Sequence, residues 1–588
     1  VTNALRIGGA SGFWGEAPHA TAQLLEAGVD VLVYDYLAEI TMSIMARARL
    51  KDAETGYASD FVSDAMGRNL ATIAAQGVKV LSNAGGVNPA ACGAALRSKI
   101  AEAGLSLTVA VVEGDDLLSR AAEFASATEM FSGAAMPARD KIASMNAYIG
   151  AAPIVAALNA GADIVITGRC VDSALTLAAC MHHFNWSADD FDLLSAGSLA
   201  GHLLECGPQS TGGNFTDWEQ AGDVAQIGYP IAEVHADGSM VLTKPDATTG
   251  IVSTASVCEQ MLYEIGDPQA YLLPDVVCDF SEVQFAQLEG NRVQVHGARG
   301  RPASGQLKVS TTWSDGYRAG MVFHFNGRDA RSKAQAFAQA GLDRARATLT
   351  KMRAPDYSEV SFEAFGGRPG DGPFEEIAFK AAVRHDDPGA IGLFLKELVG
   401  GALATPPGLH FFTGGGRPKP SPVVALFSFL VDVDQLAYKI TLDDKAIDFE
   451  PDQGGVKPPV PSSPKAPPYA APSTEMITHG LEDLAWARSG DKGDSANIGV
   501  IARHPAYIPY IWAALTPDRI AEVFTDQTRG EIERFFLPGS HSMNILMHNA
   551  LGGGGIASLR NDAQGKGFAQ KLLSVPVQIP AGLIPNSN

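Results

Sequence analysis

Apolar positions in the first third of the chain fall into short unbroken runs, separated by stretches in which they recur every three or four residues. The runs LRIGG, VLVYDY, VKVLSNAGG, LTVAVVEGDD and DIVITGR have the length and β-branched character of buried strands. Between them PHATAQLLEAG, FVSDAMGRNLATIAAQG and NPAACGAALRSKIAEAG read as amphipathic helices. Strands apolar on both faces, alternating with helices, predict an α/β fold with a parallel sheet covered by helices. Right-handed crossovers would then bring every strand's exit to one rim.

The change of period is clearest between Asp30 and Asp52. VLVYDY gives way to a segment in which Leu37, Ile40, Thr41, Ile44, Met45 and Ala48 recur at helical spacing. Asp35 falls where the strand should end and Glu39 one helical turn later, so both carboxylates can face one crevice. Open α/β sheets hold their ligands outside the carboxyl ends of the strands. An N-cap Asp followed by a first-turn Glu would leave the same pattern without any ligand.

The other exits extend this set. Gly8, Gly9, Ser11 and Gly12 form a glycine loop whose amides suit an anion, although its spacing is neither GxGxxG nor GK[ST]. Asn83, Gly85 and Gly86 precede Pro89, a residue suited to the first helical position. Glu113 and Asp115 lie in an acidic turn suited to a divalent cation, a general base or plain solvation. Arg169 is a clamp for carboxylate or phosphate, with Asp172 beside it. Cys170 is either a nucleophile or a buried inert thiol. His202 and Glu205, at i and i+3, could ligate a metal, form an acid/base pair or pair on a helix surface. Asn214 and Lys244 sit in polar loops that read as cavity lining.

Past residue 181 the alternation loosens, and residues 270–450 mix alternating strands with one long helix, which predicts an additional α+β module. The expected main domain is 1–450, with two sub-domains meeting near residue 265. Residues 451–477 are proline-rich and aperiodic, as in an extended linker. Residues 478–588 read as a small α+β domain, in which the charged loop from Arg488 to Ser495, with Lys492 within it, could bind an anion or an ion or form internal salt bridges. His541 and His548 mark a second polar cluster there.

Composition narrows the function classes. A net charge of −21 over 588 residues argues against non-specific nucleic-acid binding, yet leaves room for a small anionic ligand held by a local cluster of donors. No apolar run is long enough for a membrane span, and the start lacks a secretory signal pattern. Six scattered cysteines without a CxxC pair fit reduced thiols in a cytoplasmic protein. No cofactor is required by any motif, and the acidic exits leave a divalent metal open. A homo-oligomer is the default expectation.

Several long motifs together carry a resemblance: IGGASGFWGE, YDYLAEITMSIMARARLKD, SNAGGVNP, EGDD, ITGRCVDSA, ECGPQSTGGNFTDW and TKP. With the ending LAWARSGDKGDSANIGVIARHP, the chain resembles the acyclic terpene utilisation (AtuA) family, whose small C-terminal domain is ferredoxin-like. The resemblance implies a place in the breakdown of acyclic terpenoids such as citronellol and geraniol. It further implies a branched acyl-CoA or carboxylate substrate, with coenzyme A entering as part of that substrate. It assigns no catalytic residue. The strand-end reading supplies Asp35, Glu39 or Glu113 as acid/base for a lyase or hydratase, with Arg169, Lys244 and the loop amides holding anionic groups. The rival expectations are an acyl or CoA transferase with a nucleophilic Glu, and a non-catalytic ligand-binding subunit of a degradative complex.

Overall fold

The computed structural model of the chain describes residues 4–16, 18–367, 375–411, 417–451, 466–469, 475–555 and 557–583. Most of the proline-rich segment 451–477, and residues 412–416 of the glycine-rich loop after Thr405, lie outside the described residues.

Five strands run parallel: β1 (Leu5–Ser11), β2 (Val31–Tyr34), β3 (Lys79–Ser82), β4 (Val109–Glu113) and β5 (Ile164–Thr167). Their spatial order is β1-β2-β3-β5-β4, so the chain leaves β3 for the far position and returns to insert β5. Most of their residues are buried, as the unbroken apolar runs require.

The parallel strands are the middle of a mixed eleven-stranded sheet. Ile231–Val234 pairs antiparallel with β1 and continues through Met240–Thr243, Val293–His296 and Gln284–Gln287. At the other edge Lys439–Leu442 pairs antiparallel with β4, followed by Lys445–Ile447. Antiparallel neighbours need only short hairpins, such as the turn through Gly238 at φ 81°. That is why no helical periodicity separates Ile231–Val234 from Met240–Thr243 in the sequence.

Helices fill both connection and core. Pro89 opens Pro89–Glu102 at its first turn, as its position predicts. Tyr34 and Tyr36 stack, with Phe61 edge-on to both, within a buried cluster that also contains Leu24, Met45 and Ile73.

The chain divides into two compact units. One comprises Trp313–Leu426 with Leu551–Gln564. In it the antiparallel strands Glu359–Gly366 and Glu376–His385 carry the helices Ala330–Met352 and Pro388–Gly400 over a core of Phe323, Phe325, Phe337, Phe379 and Phe394. Its bounds are not those of the α+β module expected over residues 270–450. The rest of the chain, including the segment around residue 265, belongs to the other unit.

That other unit also holds the C-terminal four-stranded antiparallel sheet, in the order Ala485–Lys492, Ser495–Ala502, Ser542–Met547, Ile532–Leu537. The charged loop predicted after Arg488 is instead strand, since pairing continues to Lys492 opposite Ser495 and the turn is confined to Gly493 and Asp494. Helix Thr254–Met261 packs against this sheet, and Leu262 occupies the space where a Cβ of Gly499 would stand. Among the described residues no helix is long and apolar enough to cross a membrane.

Candidate functional site

Three strand exits meet around Asp35. Its side chain, 8% exposed, follows β2 directly and accepts a 2.5 Å hydrogen bond from Nδ2 of Asn83, the first residue beyond β3. The Asn83 carbonyl oxygen in turn accepts from the backbone N–H of Tyr36 at 2.7 Å. One amide thereby locks both the carboxylate and the loop that carries it.

Arg169 arrives from β5. It is 4% exposed, with its guanidinium 4.2 Å from the ring centre of Tyr148 and 3.1 Å from Oδ1 of Asp172. It also donates to the carbonyl of Leu37. The Tyr148 hydroxyl donates to Glu39 at 2.5 Å, and Nζ of Lys308 lies 3.8 Å from the same carboxylate. Burial opposes ionisation of Glu39, but Lys308, Arg169 and the Tyr148 hydroxyl outweigh it and hold the carboxyl down at about 2.

The third contributor comes from the end of helix Phe191–Leu204. His202 stands 2.9 Å from Oε1 of Glu205 through Nδ1, and its Nε2 lies 3.1 Å from the carbonyl of Met261. The pair is buried, not a surface helix pair. Burial disfavours a charged His202, yet Glu205 raises its pKa above the ordinary value.

One carboxylate oxygen from each of Asp35, Asp172 and Glu205 lies within 4.8 Å of the other two. Burial and the charges of Asp172 and Glu205 push the Asp35 pKa well above the carboxylate range, against the pull of Arg169 and Asn83. Glu205 is likewise raised, first by burial. The charge of Lys492, from the C-terminal sheet, bears on both His202 and Glu205, and its ammonium lies 5.4 Å from the ring centre of Tyr271. Its neighbour Asp491 is raised to about 6 by burial and Glu264, against Lys566.

Glycines of β1 make this convergence sterically feasible. A Cβ on Gly9 would come within 2.6 Å of the carbonyl oxygen of Leu204, and one on Gly12 within 2.7 Å of that of Glu205. Their bareness lets the helix end bring Glu205 beside Asp35. Gly8 packs on Leu24 and Val29. The Gly12 amide donates to Glu16 at 2.5 Å, and Glu16 also accepts from the Tyr229 hydroxyl at 2.8 Å, so a carboxylate of the chain itself occupies this loop. Ser11 donates to the carbonyl of Phe13. A polar cavity of about 200 Å³, lined by Ser11, Glu16, Thr21, Tyr36, Asp60 and Asp64 among others, lies at the β1 and β2 exits.

The remaining candidates lie in contacts of their own. Glu113 pairs with Lys439 on the neighbouring strand at 2.8 Å. Gly85 packs on Thr167 and Pro89, and Gly86 adopts φ 55° against Met45. Asn214 adopts φ 54° near Gln209. Lys244 donates to the carbonyl of Thr248 at 2.7 Å. Arg488 forms a buried ion pair with Glu259 at 2.9 Å. Cys170 is buried with its thiol pushed up to about 12, which leaves no thiolate for attack.

Asp115 sits behind the site, accepting from the backbone N–H of Arg169 and from Asn146, both at 2.8 Å. Burial, outweighing those two hydrogen bonds, raises it to about 7. The folded protein therefore holds this proton more tightly than the unfolded chain does. Between roughly pH 4 and 7 the unfolded state releases it first, so the Asp115 contribution to stability falls as pH rises. Asp115→Asn is expected to cancel that slope. Relative to the parent the variant gains stability with rising pH, on the order of 3 kcal/mol at most between denaturant melts at pH 5 and pH 8.

Tyr148, Lys308 and Tyr271 carried no signal in the sequence. They lie in strand-like runs where one aromatic or basic residue is unremarkable. Only an alignment of the strand ends in space selects them.

The family model described as acyclic terpene utilisation family protein AtuA matches residues 5–442, and that of the AtuA ferredoxin-like domain matches residues 479–578. The chain belongs to the acyclic terpene utilisation family. Membership connects the protein with the utilisation of acyclic terpenes and makes its C-terminal sheet the ferredoxin-like domain of the family. Lys492 is thus the contribution of the AtuA ferredoxin-like domain to surroundings otherwise built from the AtuA domain. No curated protein and no solved structure matches the chain.

Proposed function

We propose that this AtuA protein is a lyase or hydratase that acts on a branched acyl-CoA or carboxylate intermediate of acyclic terpenoid breakdown. The supporting observation is the pairing of Glu39 with the Tyr148 hydroxyl directly beside the Arg169 guanidinium. Adding or removing water, or cleaving a carbon–carbon bond, next to a carbonyl requires a base for the proton and a cation for the charge that builds on oxygen. Glu39 is the base in this reading. Arg169 and Lys492 neutralise the anionic substrate group.

The low pKa of Glu39 is compatible with that role. A substrate anion that engages Arg169 removes one of the two cations holding Glu39 down, so binding itself raises the basicity of the carboxylate.

Incubation of the purified protein with terpenoid-derived branched acyl-CoA thioesters and free acids, read by mass spectrometry, tests the reading. Gain or loss of one water, or chain cleavage, is expected, and Glu39→Gln should lower the rate by about 10²–10⁴. CoA exchange between acids with a hydroxylamine-sensitive glutamyl thioester would instead identify a transferase. Binding without turnover would identify a ligand-binding subunit.

A further inference from the structure

We propose that Asp35, Asp172 and Glu205 form a binding site for one divalent metal cation of the hard, oxygen-seeking class of Mg²⁺, Mn²⁺ or Ca²⁺. The three carboxylates come from the β2 exit, the loop after β5 and the end of helix Phe191–Leu204. One oxygen from each lies within 4.8 Å of the others. Opposite oxygens around a common cation stand about 4 Å apart for Mg²⁺ and about 5 Å for Ca²⁺, twice the metal–oxygen distance. Separations of up to 4.8 Å fit the Ca²⁺ span as they stand and exceed the Mg²⁺ span by about 0.8 Å, so one ion is admitted after a closure of less than 1 Å.

A second observation concerns a carboxylate of the same cluster. The Glu205 side chain is only 9% exposed, and its Oε2 is buried without any hydrogen-bond partner. His202 engages the other oxygen, Oε1, and so does not relieve it. A buried carboxylate oxygen left without a donor is costly, and a cation supplies what is missing. Asp172, 38% exposed on its side chain, leaves the cluster open to water, which gives an ion both a route in and its remaining ligands.

The supporting residues have the arrangement that metal ligands require. Asn83 donates to Asp35, and His202 is held between Glu205 and the carbonyl of Met261, so two of the three ligands are oriented from behind. The ligand atoms are all oxygen. An all-oxygen donor set selects the hard class. The cations facing the cluster are Arg169, Lys492 and His202; Arg169 lies against Asp172 and His202 against Glu205, and Lys492 acts from beside Tyr271.

The proposal rests on these side chains and holds whichever reaction the site performs, so its test uses no substrate. The full-length chain, freed of metal with EDTA, is titrated with Mn²⁺ by calorimetry and electron paramagnetic resonance. One Mn²⁺ per chain is expected, displaced by Mg²⁺ or Ca²⁺. Asp172→Asn and Glu205→Gln should each weaken binding at least tenfold, and His202→Gln about tenfold. Glu102→Gln, an exposed change far along another helix, should bind as the parent does. Saturating Mn²⁺ should also raise the melting temperature of the unmodified protein, which keeps the question answerable if a variant does not fold. A parent protein with no saturable site, no melting shift with Mn²⁺, or ligand variants that bind as tightly as the parent would each overturn the proposal.

Discussion

Arg488→Met is expected to cost about 3–5 kcal/mol of stability, the largest effect of any single substitution considered. Arg488 is 4% exposed and Glu259, its partner, is fully enclosed. Three guanidinium nitrogens are satisfied: Nε and Nη2 by Glu259, Nη1 by the carbonyl of Gln209 and the side chain of Gln260, and Nη2 also by the carbonyl of Gly213. Methionine fills much of the volume but leaves a buried carboxylate without its counter-charge. Burial already raises Glu259 against the pull of Arg488, and removing the arginine raises it further. The folded variant then holds a proton that the unfolded chain loses above about pH 4.5. Its stability should consequently drop further as pH rises, and Glu259→Gln in the same background should recover part of the loss. Chemical melts of the three proteins between pH 5 and pH 8 check both statements.

Arg169→Met should lower kcat/KM by about 10³, or some 4 kcal/mol of transition-state stabilisation, in whichever assay first reports turnover. The guanidinium is placed by three neighbours at once, namely Leu37, Tyr148 and Asp172, while the backbone N–H of the residue is held by Asp115. Arg169→Lys keeps the charge but not the planar fork, so it should recover only part of the rate. The pH profile separates this from a structural effect. With Arg169 gone, Lys308 and the Tyr148 hydroxyl are what remain to hold Glu39 down, so its pKa rises from about 2. The acid limb of the profile, which requires ionised Glu39, moves to higher pH. The linked stability follows the same sign: ionised Glu39 stabilises the fold above about pH 4.5 and that contribution fades toward pH 2, and the variant has less of it to lose.

Local pattern carries far at the first exits and stops short at the later ones. Asp35, Asn83 and Arg169 each follow an apolar run directly, so strand periodicity alone marks them as rim residues, and the structure brings them together. Glu113 follows a run in the same way, yet an antiparallel strand from more than three hundred residues away covers β4 and supplies Lys439. The glycines of β1 were legible as a place where something approaches closely. That the approaching groups are the carbonyls of Leu204 and Glu205, and not a ligand anion, depends on a packing distance that no spacing encodes.

From its sequence alone this protein is an alternation of buried strands and amphipathic helices with acids, amides and one arginine at the strand ends, because periods of two and 3.6 residues and turn chemistry are local properties of the chain. Tertiary structure alone decided that the sheet is mixed, that His202 and Glu205 are buried, and that Tyr148, Lys308 and Lys492 gather around Arg169 and Glu205. These depend on which distant segments pack together, and burial and Coulomb fields act through space, not along the chain.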